Sequence, residues 1–417
     1  MLATDTLSMD LADPDNFLDG RTPWRIFDEL RRDDPVHWNP ETDGGRGFWS
    51  LTRHADIVAA DRDQDTFTST RFVNLEEVDE RQAEIRRSML ETDGPRHLAM
   101  RRLLQREFTP RAVAGYATFL RGLTARTLDA ALVKGTFDFV EEVAADFPIN
   151  VLARMLDVPE DARRLIDWGN RIIANTDPEY ADVLLHSADS ERYRDLPFRS
   201  PASLEVFEYG RELAARRRGG NGTDLVSKLI NQVPRDGVPL SERDFDNYFL
   251  LLVVAGNETT RHAITHAMRA LIDHPDQAER LRADPDLMPA AVEEFLRWAS
   301  PVYHFRRTAT RDVELGGKRV REGDKVVLWF ASANRDERVF DDPYRFDVTR
   351  APNDQISFGK GGPHFCLGNA LARLEMRIMF EELLPRLADI RLAGEVSRVR
   401  SNFVNGVKEM PVTVTLA

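Results

Sequence analysis

The sequence has a single cysteine, Cys366, in 417 residues, so no internal disulfide can form and a reducing compartment suits the chain. Long apolar runs are missing too. The most prominent one, at 248–256, is far shorter than the roughly 20 residues of a membrane-spanning helix. The N-terminal 20 residues are acidic and lack the basic and apolar regions of a secretory signal. We therefore expect a soluble, cytoplasmic, monomeric protein with no membrane partner.

Basic residues are also fewer than acidic ones. The chain has 57 Lys and Arg against 70 Asp and Glu, which gives a formal net charge of −13. Binding to nucleic acid needs a basic surface, so we expect no nucleic-acid partner. The strongest linker candidate is 216–224, but helical periodicity resumes directly after it and no internal repeat is found. The expected organisation is one domain, 1–417.

Helical periodicity dominates the chain and strand patterns are sparse. Apolar residues spaced by three and four predict helices at 24–32, 96–107, 111–133, 204–218, 241–273, 276–282, 287–298 and 369–388. Alternation and short apolar runs predict strands at 47–52, 324–332 and 410–416, and a hairpin at 312–320. Small sheets combined with many helices indicate a mainly α, α+β protein.

The solitary cysteine lies in the stretch SFGKGGPHFCLGNALARLE, residues 357–375. Glycines precede Cys366, and strong helix formers follow it, which predicts a loop-to-helix junction. Backbone N–H groups and a helix N-terminus stabilise a thiolate at such a position, and a thiolate is a nucleophile or a metal ligand. The alternative is a small buried hydrophobic residue, which is the commoner role of a lone cysteine.

The predicted helix at 241–273 contains a segment that does not suit a helix interior. Ser241 and Asp244 have the spacing of a capping box at its start, and its length is near 50 Å at about 1.5 Å per residue. Gly256 would let the backbone approach a flat ligand, Thr259 can bond the carbonyl of the preceding turn, and Glu258 supplies a titratable proton carrier. The alternative is a packed glycine crossing with a surface glutamate.

Two further pairs are weaker signals. His97 and Arg101 lie one helical turn apart, a spacing that suits a carboxylate-bearing ligand, although a solvated basic face is the commoner explanation. Glu294 and Arg297 are three residues apart, which usually means a surface ion pair. Arg307 precedes a strand and is uninformative alone.

A resemblance to a known protein family explains these segments together. The order of HLAMR, AGNETT, EFLR, ANRDERVFDDPYRFD and FGKGGPHFCLG resembles that of the cytochrome P450 family over essentially the whole chain. The resemblance implies a triangular, mainly helical prism with small sheets. It also implies haem b, placed between the long central helix and the helix after the cysteine loop, with its iron held by Cys366.

The resemblance assigns roles to individual residues. It implies that the haem propionates contact His97, Arg101, Arg307 and His364. Further cofactor contacts are expected at Ala255, Gly256, Phe358, Gly359 and Gly368, and Thr259 and Glu258 are the expected proton-delivery residues. Glu294 and Arg297 match a structural pair of the family, with Arg350, rather than Arg345, as the expected third partner. Two departures are visible: Phe358 lies eight residues before Cys366 instead of seven, and Glu258 replaces the aspartate of many bacterial members.

The implied activity is insertion of one oxygen atom of O2 into a C–H bond, with electrons from a ferredoxin and an NAD(P)H-dependent ferredoxin reductase. Arg101, Arg102, Arg106 and Lys360 are the residues expected to meet an acidic ferredoxin. An apolar set resembles the substrate-lining positions: Leu75, Leu90, Ile172, Ile173, Leu251, Val254, Ala255, Val302, Phe305, Phe403 and Val404. This set indicates an uncharged or weakly polar hydrophobic molecule. The blocks LLVVAGNETTRHAITH, EEFLRWASPV and SANRDE resemble those of bacterial members of the family that hydroxylate steroids, methyl-branched lipids or terpenoids, and this resemblance implies the same substrate class.

Two other functions stay open at this point. One is a cysteine-nucleophile hydrolase or transferase that uses Cys366 with His364 or another histidine. It would leave the segment at 255–260 and the propionate donors without a purpose. The other is a haem or lipid carrier without catalysis, which the presence of Glu258 and Thr259 disfavours.

Overall fold

The computed structural model describes residues 10–41 and 45–417, so the first nine of the 20 residues considered for a signal lie outside the described residues. The fold is built mainly from helices, because amphipathic segments dominate the sequence. The helices are α1 (Thr22–Asp33), α2 (His54–Arg62), α3 (Glu80–Ile85), α4 (Gly94–Leu104), α5 (Pro110–Ala114), α6 (Ala117–Leu132), α7 (Asp146–Leu156), α8 (Ala162–Ile173), α9 (Ala202–Arg217), α10 (Leu225–Asn231), α11 (Glu242–Asp273), α12 (Pro275–Ala283), α13 (Met288–Ala299), α14 (Phe330–Ala333) and α15 (Asn369–Leu383).

The strands are short and form small sheets. They are β1 (Val36–Asn39), β2 (Phe48–Leu51), β3 (Phe67–Thr68), β4 (Thr136–Asp138), β5 (His304–Ala309), β6 (Val313–Leu315), β7 (Lys318–Val320), β8 (Lys325–Trp329), β9 (Leu387–Leu392), β10 (Ser397–Arg398), β11 (Val407–Glu409) and β12 (Pro411–Leu416). The largest sheet has the order β1-β2-β8-β5-β3, in which β2 and β8 are parallel and the other pairs antiparallel. A three-stranded sheet has the order β4-β12-β9, and the hairpin β6-β7 turns at Gly316 and Gly317, both at positive φ, as predicted.

Helix α11 is the central element. Its predicted capping box is confirmed, since the Ser241 side chain accepts from the Asp244 N–H and the Asp244 side chain accepts from the Ser241 N–H. The helix packs against α7, α8, α9, α13 and α15. Because its 32 residues cross the whole hydrophobic core, it can place a mid-helix segment beside residues from distant parts of the chain.

Two predicted helices had wrong bounds. The segment 111–133 forms two helices, because the chain turns at Gly115 and Tyr116 between α5 and α6. The helix predicted at 369–388 ends at Leu383, since Pro385 cannot donate the next helical hydrogen bond, and the chain enters β9 at Leu387. The predicted strand at 324–332 likewise stops at Trp329 and continues as α14.

Helices α2, α3, α7, α8 and α10 and strands β1, β3, β4, β5, β9, β10 and β11 had not been predicted. Helix α7 has most of its residues buried, and its polar residues Asp146, Asn150 and Arg154 lie four apart on one face, a one-sided pattern that extends over only 11 residues. Within the described residues, none of the helices is long and apolar enough to cross a membrane.

Candidate active site

A cavity separates the middle of α11 from the loop and helix that carry Cys366. Ala255, Gly256 and Thr259 form one wall, and Cys366 and Gly368 form part of the opposite wall. All ten residues predicted to bind the cofactor line this cavity: His97, Arg101, Ala255, Gly256, Arg307, Phe358, Gly359, His364, Cys366 and Gly368. Their roles stay predictions, but residues 271 positions apart in the chain meet around one space.

Backbone hydrogen bonds hold the cysteine loop. The Cys366 N–H donates to the Phe358 carbonyl at 2.9 Å, so the loop closes on itself, and the Asn369 amide donates to the Cys366 carbonyl at 2.7 Å. The guanidinium of Arg101 donates to the Phe365 carbonyl at 2.6 Å. Helix α4 and the start of α15 therefore both constrain the position of the sulfur.

Asp61 of α2 accommodates the extra residue between Phe358 and Cys366. Its carboxylate accepts from the Lys360 N–H at 3.1 Å, and the neighbouring Arg62 donates to the Lys360 carbonyl, also at 3.1 Å. Gly361 has φ +74°, and a side chain at Gly362 would collide with the Asp61 carbonyl oxygen. The loop thus fits only with glycines at these positions.

Burial raises the pKa of the Cys366 thiol. The N–H groups of Gly368 and Asn369 and the charges of Arg101 and Arg373 oppose that rise. The stabilising amides expected from the sequence are present, but removal from water outweighs them. A bound cation, as in a metal–thiolate bond, is what would hold this sulfur in its anionic form.

Basic side chains line one edge of the cavity, and some of them have a hydrogen-bond partner while His97 has none. Arg307 donates to Asp61 at 2.9 Å, and His364 Nε2 lies 2.9 Å from Asp93 Oδ1. Both ring nitrogens of His97 are buried without a hydrogen-bond partner, and burial, with His364 and Arg101 nearby, lowers the pKa of His97 to about 3. The edge therefore has donor capacity that the protein itself does not satisfy.

The cavity fits haem b on these observations. The orphaned His97 ring and the cluster of guanidinium groups suit a group with carboxylates at one edge. Elsewhere the lining is mostly apolar, with Leu152, Val302 and Leu371 among its residues, and Glu375 is an exception. Cys366 lines the cavity and supplies the one thiol of the described residues, a soft metal ligand.

Thr259 and Glu258 point to different surroundings. The Thr259 hydroxyl donates to the Ala255 carbonyl at 3.0 Å, as expected, and the residue faces the cavity. Glu258 is buried in an ion pair with Arg261, accepts from the Asn257 amide at 3.0 Å, and lies 3.4 Å from His262 Nε2. Burial raises the pKa of Glu258, but Arg261 and His262 outweigh it and leave that pKa below its usual value.

A second, largely apolar cavity continues from the first on the side of Thr259. The two share Leu90, Leu251, Ala255, Thr259, Val302 and Phe305 as wall residues. Nine of the eleven predicted substrate residues line this apolar cavity: Leu90, Ile173, Leu251, Val254, Ala255, Val302, Phe305, Phe403 and Val404. Glu258 also lines it. Leu75 lies instead on a third cavity farther out, and Ile172 is fully buried in the core of α8, one residue away from the face that reaches the cavity.

Glu294 and Arg297 do not form a surface pair. Both side chains are completely buried on α13, and Arg297 donates to the two carboxylate oxygens of Glu294 at 2.7 Å. Arg350 is the third partner, 3.2 Å from Glu294, as expected, whereas the Arg345 side chain is exposed and lies nearest to Asp347. This cluster lies away from the cavity walls and joins α13 to the segment at 334–353.

Sequence reasoning missed three side chains that position the site. Asp61 pairs with Arg307, and Asp93, the residue before α4, makes no capping bond with its side chain and pairs with His364 instead. Arg373 lies over the Phe358 ring at 4.5 Å and pairs with Glu293. Asp61 and Asp93 carried no local signal, because their partners are more than 240 residues away.

The comparisons with known proteins agree with this geometry. The family profile described as Cytochrome P450 matches residues 43–388. The chain is 39% identical over 397 residues to the methyl-branched lipid omega-hydroxylase of Mycobacterium tuberculosis, covering 93% of this chain and 90% of that protein. It is 37% identical over 413 residues to the steroid C26-monooxygenase of Mycolicibacterium smegmatis, covering 95% and 91%. A solved cytochrome P450 of Mycobacterium marinum, in complex with pseudoionone, is similar at TM-score 0.88 and 38% identity, covering 98% of both chains.

Proposed function

The chain belongs to the cytochrome P450 family of haem-thiolate monooxygenases, and from this we propose that it hydroxylates a steroid or methyl-branched lipid with electrons from a ferredoxin. Its mainly α fold with small sheets is that of the family, and haem b is the cofactor. The observation that carries the proposal is the single thiol facing the mid-helix segment of α11 across a cavity with an orphaned His97 at its edge.

Each wall of the cavity has its own task. When bound, haem b supplies the iron that activates O2 and so permits attack on an unactivated C–H bond. Cys366 is the residue that would ligate the iron, and the Gly368 and Asn369 N–H groups would tune the charge on the sulfur. His97, Arg101, Arg307 and His364 would hold the propionates.

The middle of α11, which carries Glu258 and Thr259, delivers protons to the cavity. The Thr259 hydroxyl, which already donates to the Ala255 carbonyl, can hold a water at the cavity wall and pass a proton through it. Glu258 lines the apolar cavity and is ionised in its pair with Arg261, so it acts by accepting a proton from outside the cavity and releasing it inward. This ion pair must loosen during that transfer.

The apolar cavity determines the substrate class. Its lining, with Phe305, Phe403 and Val302 among others, removes water from an aliphatic body without offering it ion pairs. One relative is named as an omega-hydroxylase of methyl-branched lipids and another as a monooxygenase of the steroid C26 position. A long hydrophobic substrate that enters end-on suits the continuity of the two cavities.

We infer the redox partner from the basic residues on the side of the protein that carries the cysteine loop. Arg102 on α4 and Arg106 in the turn just after it are exposed, and Lys360 lies on the cysteine loop, where it pairs with Asp354. These cations would meet an acidic ferredoxin despite the net charge of −13. Reversing Arg102 and Arg106 to glutamate should raise the ferredoxin KM at low salt, with kcat at saturating ferredoxin kept; an unchanged KM would contradict this docking site.

The decisive experiment separates the three candidate functions. The reduced protein is exposed to carbon monoxide, and the strongly red-shifted Soret band of a thiolate-ligated haem is expected. Cys366→Ala should abolish this band. A hydrolase would show no such band. Hydroxylated product from a steroid or branched-lipid panel, with ferredoxin, reductase and NAD(P)H, excludes a carrier.

Proton delivery is tested on the same system. Thr259→Val should lower product formed per NAD(P)H, with a loss of roughly 10²-fold in hydroxylation rate, because positioned acid–base groups contribute that much or more. Thr265→Val is the matched control, since its hydroxyl makes the same bond one turn and a half further along, to the Arg261 carbonyl, in the buried core. Equal coupling in both variants would remove Thr259 from the mechanism.

A further inference from the structure

The apolar cavity opens toward a third, outer cavity of about 730 Å³. The two share Asn74, Phe198 and Phe403 as wall residues. From the cysteine outward, the order is therefore the cofactor cavity, the apolar cavity and the outer cavity. A long molecule with one end at Thr259 extends its other end toward this outer space.

His304, the first residue of β5, lines the outer cavity and is 99% buried. One edge of its ring is held, since Nδ1 lies 3.0 Å from the Asn402 carbonyl oxygen. The other nitrogen, Nε2, is buried and has no hydrogen-bond partner. An unpartnered buried polar atom is costly, and a ligand group that satisfies it recovers that cost.

The hydrogen bond to Asn402 determines what Nε2 can do. A carbonyl oxygen can only accept, so the ring proton must be on Nδ1. Burial lowers the pKa of His304 to about 3, so the ring carries no second proton at neutral pH. Nε2 is therefore a lone-pair acceptor, and it can bind a hydrogen-bond donor but not a ketone or an ether.

The surroundings exclude charged donors and carboxylates. The His304 ring packs at 4.6 Å from the Trp329 ring and 5.5 Å from the Phe403 ring, where a bare ammonium would lose its hydration. The outer cavity walls carry five carboxylate residues against two arginines, which disfavours an acid terminus: Asp10, Asp13, Glu41, Glu76, Glu77, Arg199 and Arg400. A neutral hydroxyl is the donor that fits.

We propose that His304 Nε2 accepts a hydrogen bond from a hydroxyl group at the substrate end remote from the oxidised carbon. This makes His304 a specificity-determining residue for an alcohol such as a sterol, over the matching ketone or ether. The inference rests on the proposed function, because it places the reactive end of the same molecule at Thr259.

The test uses three matched probes: a sterol, its methyl ether and the corresponding ketone. Dissociation constants are measured by calorimetry and by substrate-induced change in the Soret band. The wild-type protein should bind the sterol about five- to tenfold more tightly than the other two, in line with one buried neutral hydrogen bond. In His304→Phe the three probes should bind within about twofold of each other.

Two further variants keep the result interpretable. In His304→Gln the amide can turn to donate as well as accept, so the ketone and the ether, whose oxygens only accept, should both gain affinity relative to the sterol. Phe403→Leu alters the same wall without a polar atom, so it should weaken all three probes equally. Equal binding of the three probes by the wild-type protein, or a sterol preference that survives in His304→Phe, would overturn the assignment.

Turnover distinguishes this failure from failure of the proposed function. If sterol, ether and ketone are hydroxylated but bind equally, only the role of His304 is wrong. If none of the steroid and branched-lipid probes is bound or oxidised, the proposed substrate class is wrong and the His304 assignment falls with it.

Discussion

Replacement of Glu294 by glutamine tests whether the buried pair on α13 stabilises the fold. The carboxylate is fully buried and receives two bonds from Arg297 at 2.7 Å, the Asp347 N–H at 3.0 Å and the Asn353 amide at 3.1 Å. Arg350 adds a second cation at 3.2 Å. Removal of this acceptor leaves one completely buried guanidinium without its counter-charge.

The expected loss follows from that arrangement. Removal of one partner of a buried ion pair costs about 3–5 kcal/mol, which is a large part of the total stability of a typical domain. The ratio of folded to unfolded protein should fall about a thousandfold at 4 kcal/mol. Arg297→Met should cost less than Glu294→Gln, because Arg350 still compensates the carboxylate.

Urea unfolding followed by far-UV circular dichroism measures these differences. Arg345→Met is the control, since its exposed guanidinium lies 3.8 Å from Asp347 and should change stability by less than about 0.5 kcal/mol. Arg350→Met removes only the outer cation, so its loss of stability should lie between that of Arg345→Met and that of Glu294→Gln. This variant remains measurable even if Glu294→Gln does not fold. A cost below about 1 kcal/mol for Glu294→Gln, or an order reversed with Arg345→Met, would refute the reasoning.

Three further predictions concern other parts of the molecule. Burial raises the pKa of Glu375 well above 4.5, so unfolding releases its proton, and stability should fall as pH rises above about 4.5, by up to about 1.4 kcal/mol per pH unit. Urea unfolding at several pH values should show this loss relative to Glu375→Gln; parallel curves would contradict it. Gly210→Ala would put a Cβ 2.7 Å from the Phe249 ring and should destabilise by about 1–3 kcal/mol in thermal unfolding, whereas Gly122→Ala, with no atom nearer than 3.5 Å, should stabilise by about 0.5–1 kcal/mol. His97→Phe should lower haem affinity at least tenfold in a transfer assay to apomyoglobin, because a donor to a carboxylate is lost, while Arg96→Gln, whose partners are Asp236 and Asp244, should not.

Much of the fold was accessible from local pattern. The capping box at Ser241, the hairpin at Gly316 and the end of α11 before Pro275 depend on residues a few positions apart, and the structure has all three. The bounds that were wrong lie where one residue interrupts an otherwise periodic segment, as at Gly115 or Pro385. Helix α7 was missed although Asp146, Asn150 and Arg154 give it a polar face, because the pattern covers only 11 residues.

The candidate site likewise has features that the sequence reveals and features that depend on the tertiary structure. The lone Cys366 between glycines and a helix, and the irregular segment around Gly256, are short-range features, and the resemblance joined them before any coordinates were known. The ionic state of Glu258 was not accessible, because it depends on Arg261 and His262 lying on its own face of α11 and on α8 excluding water above it.

Sequence alone determined which atoms are present and which neighbours along the chain can cooperate: one sulfur, a helix long enough to cross the core, and donors one turn apart. Tertiary structure alone decided which of those donors are already satisfied. Asp61 occupies Arg307 and Asp93 occupies His364 across more than 240 residues, while His97 and His304 keep unpartnered nitrogens. The physical reason is that pairing of buried polar groups depends on packing between distant segments, which no local pattern encodes.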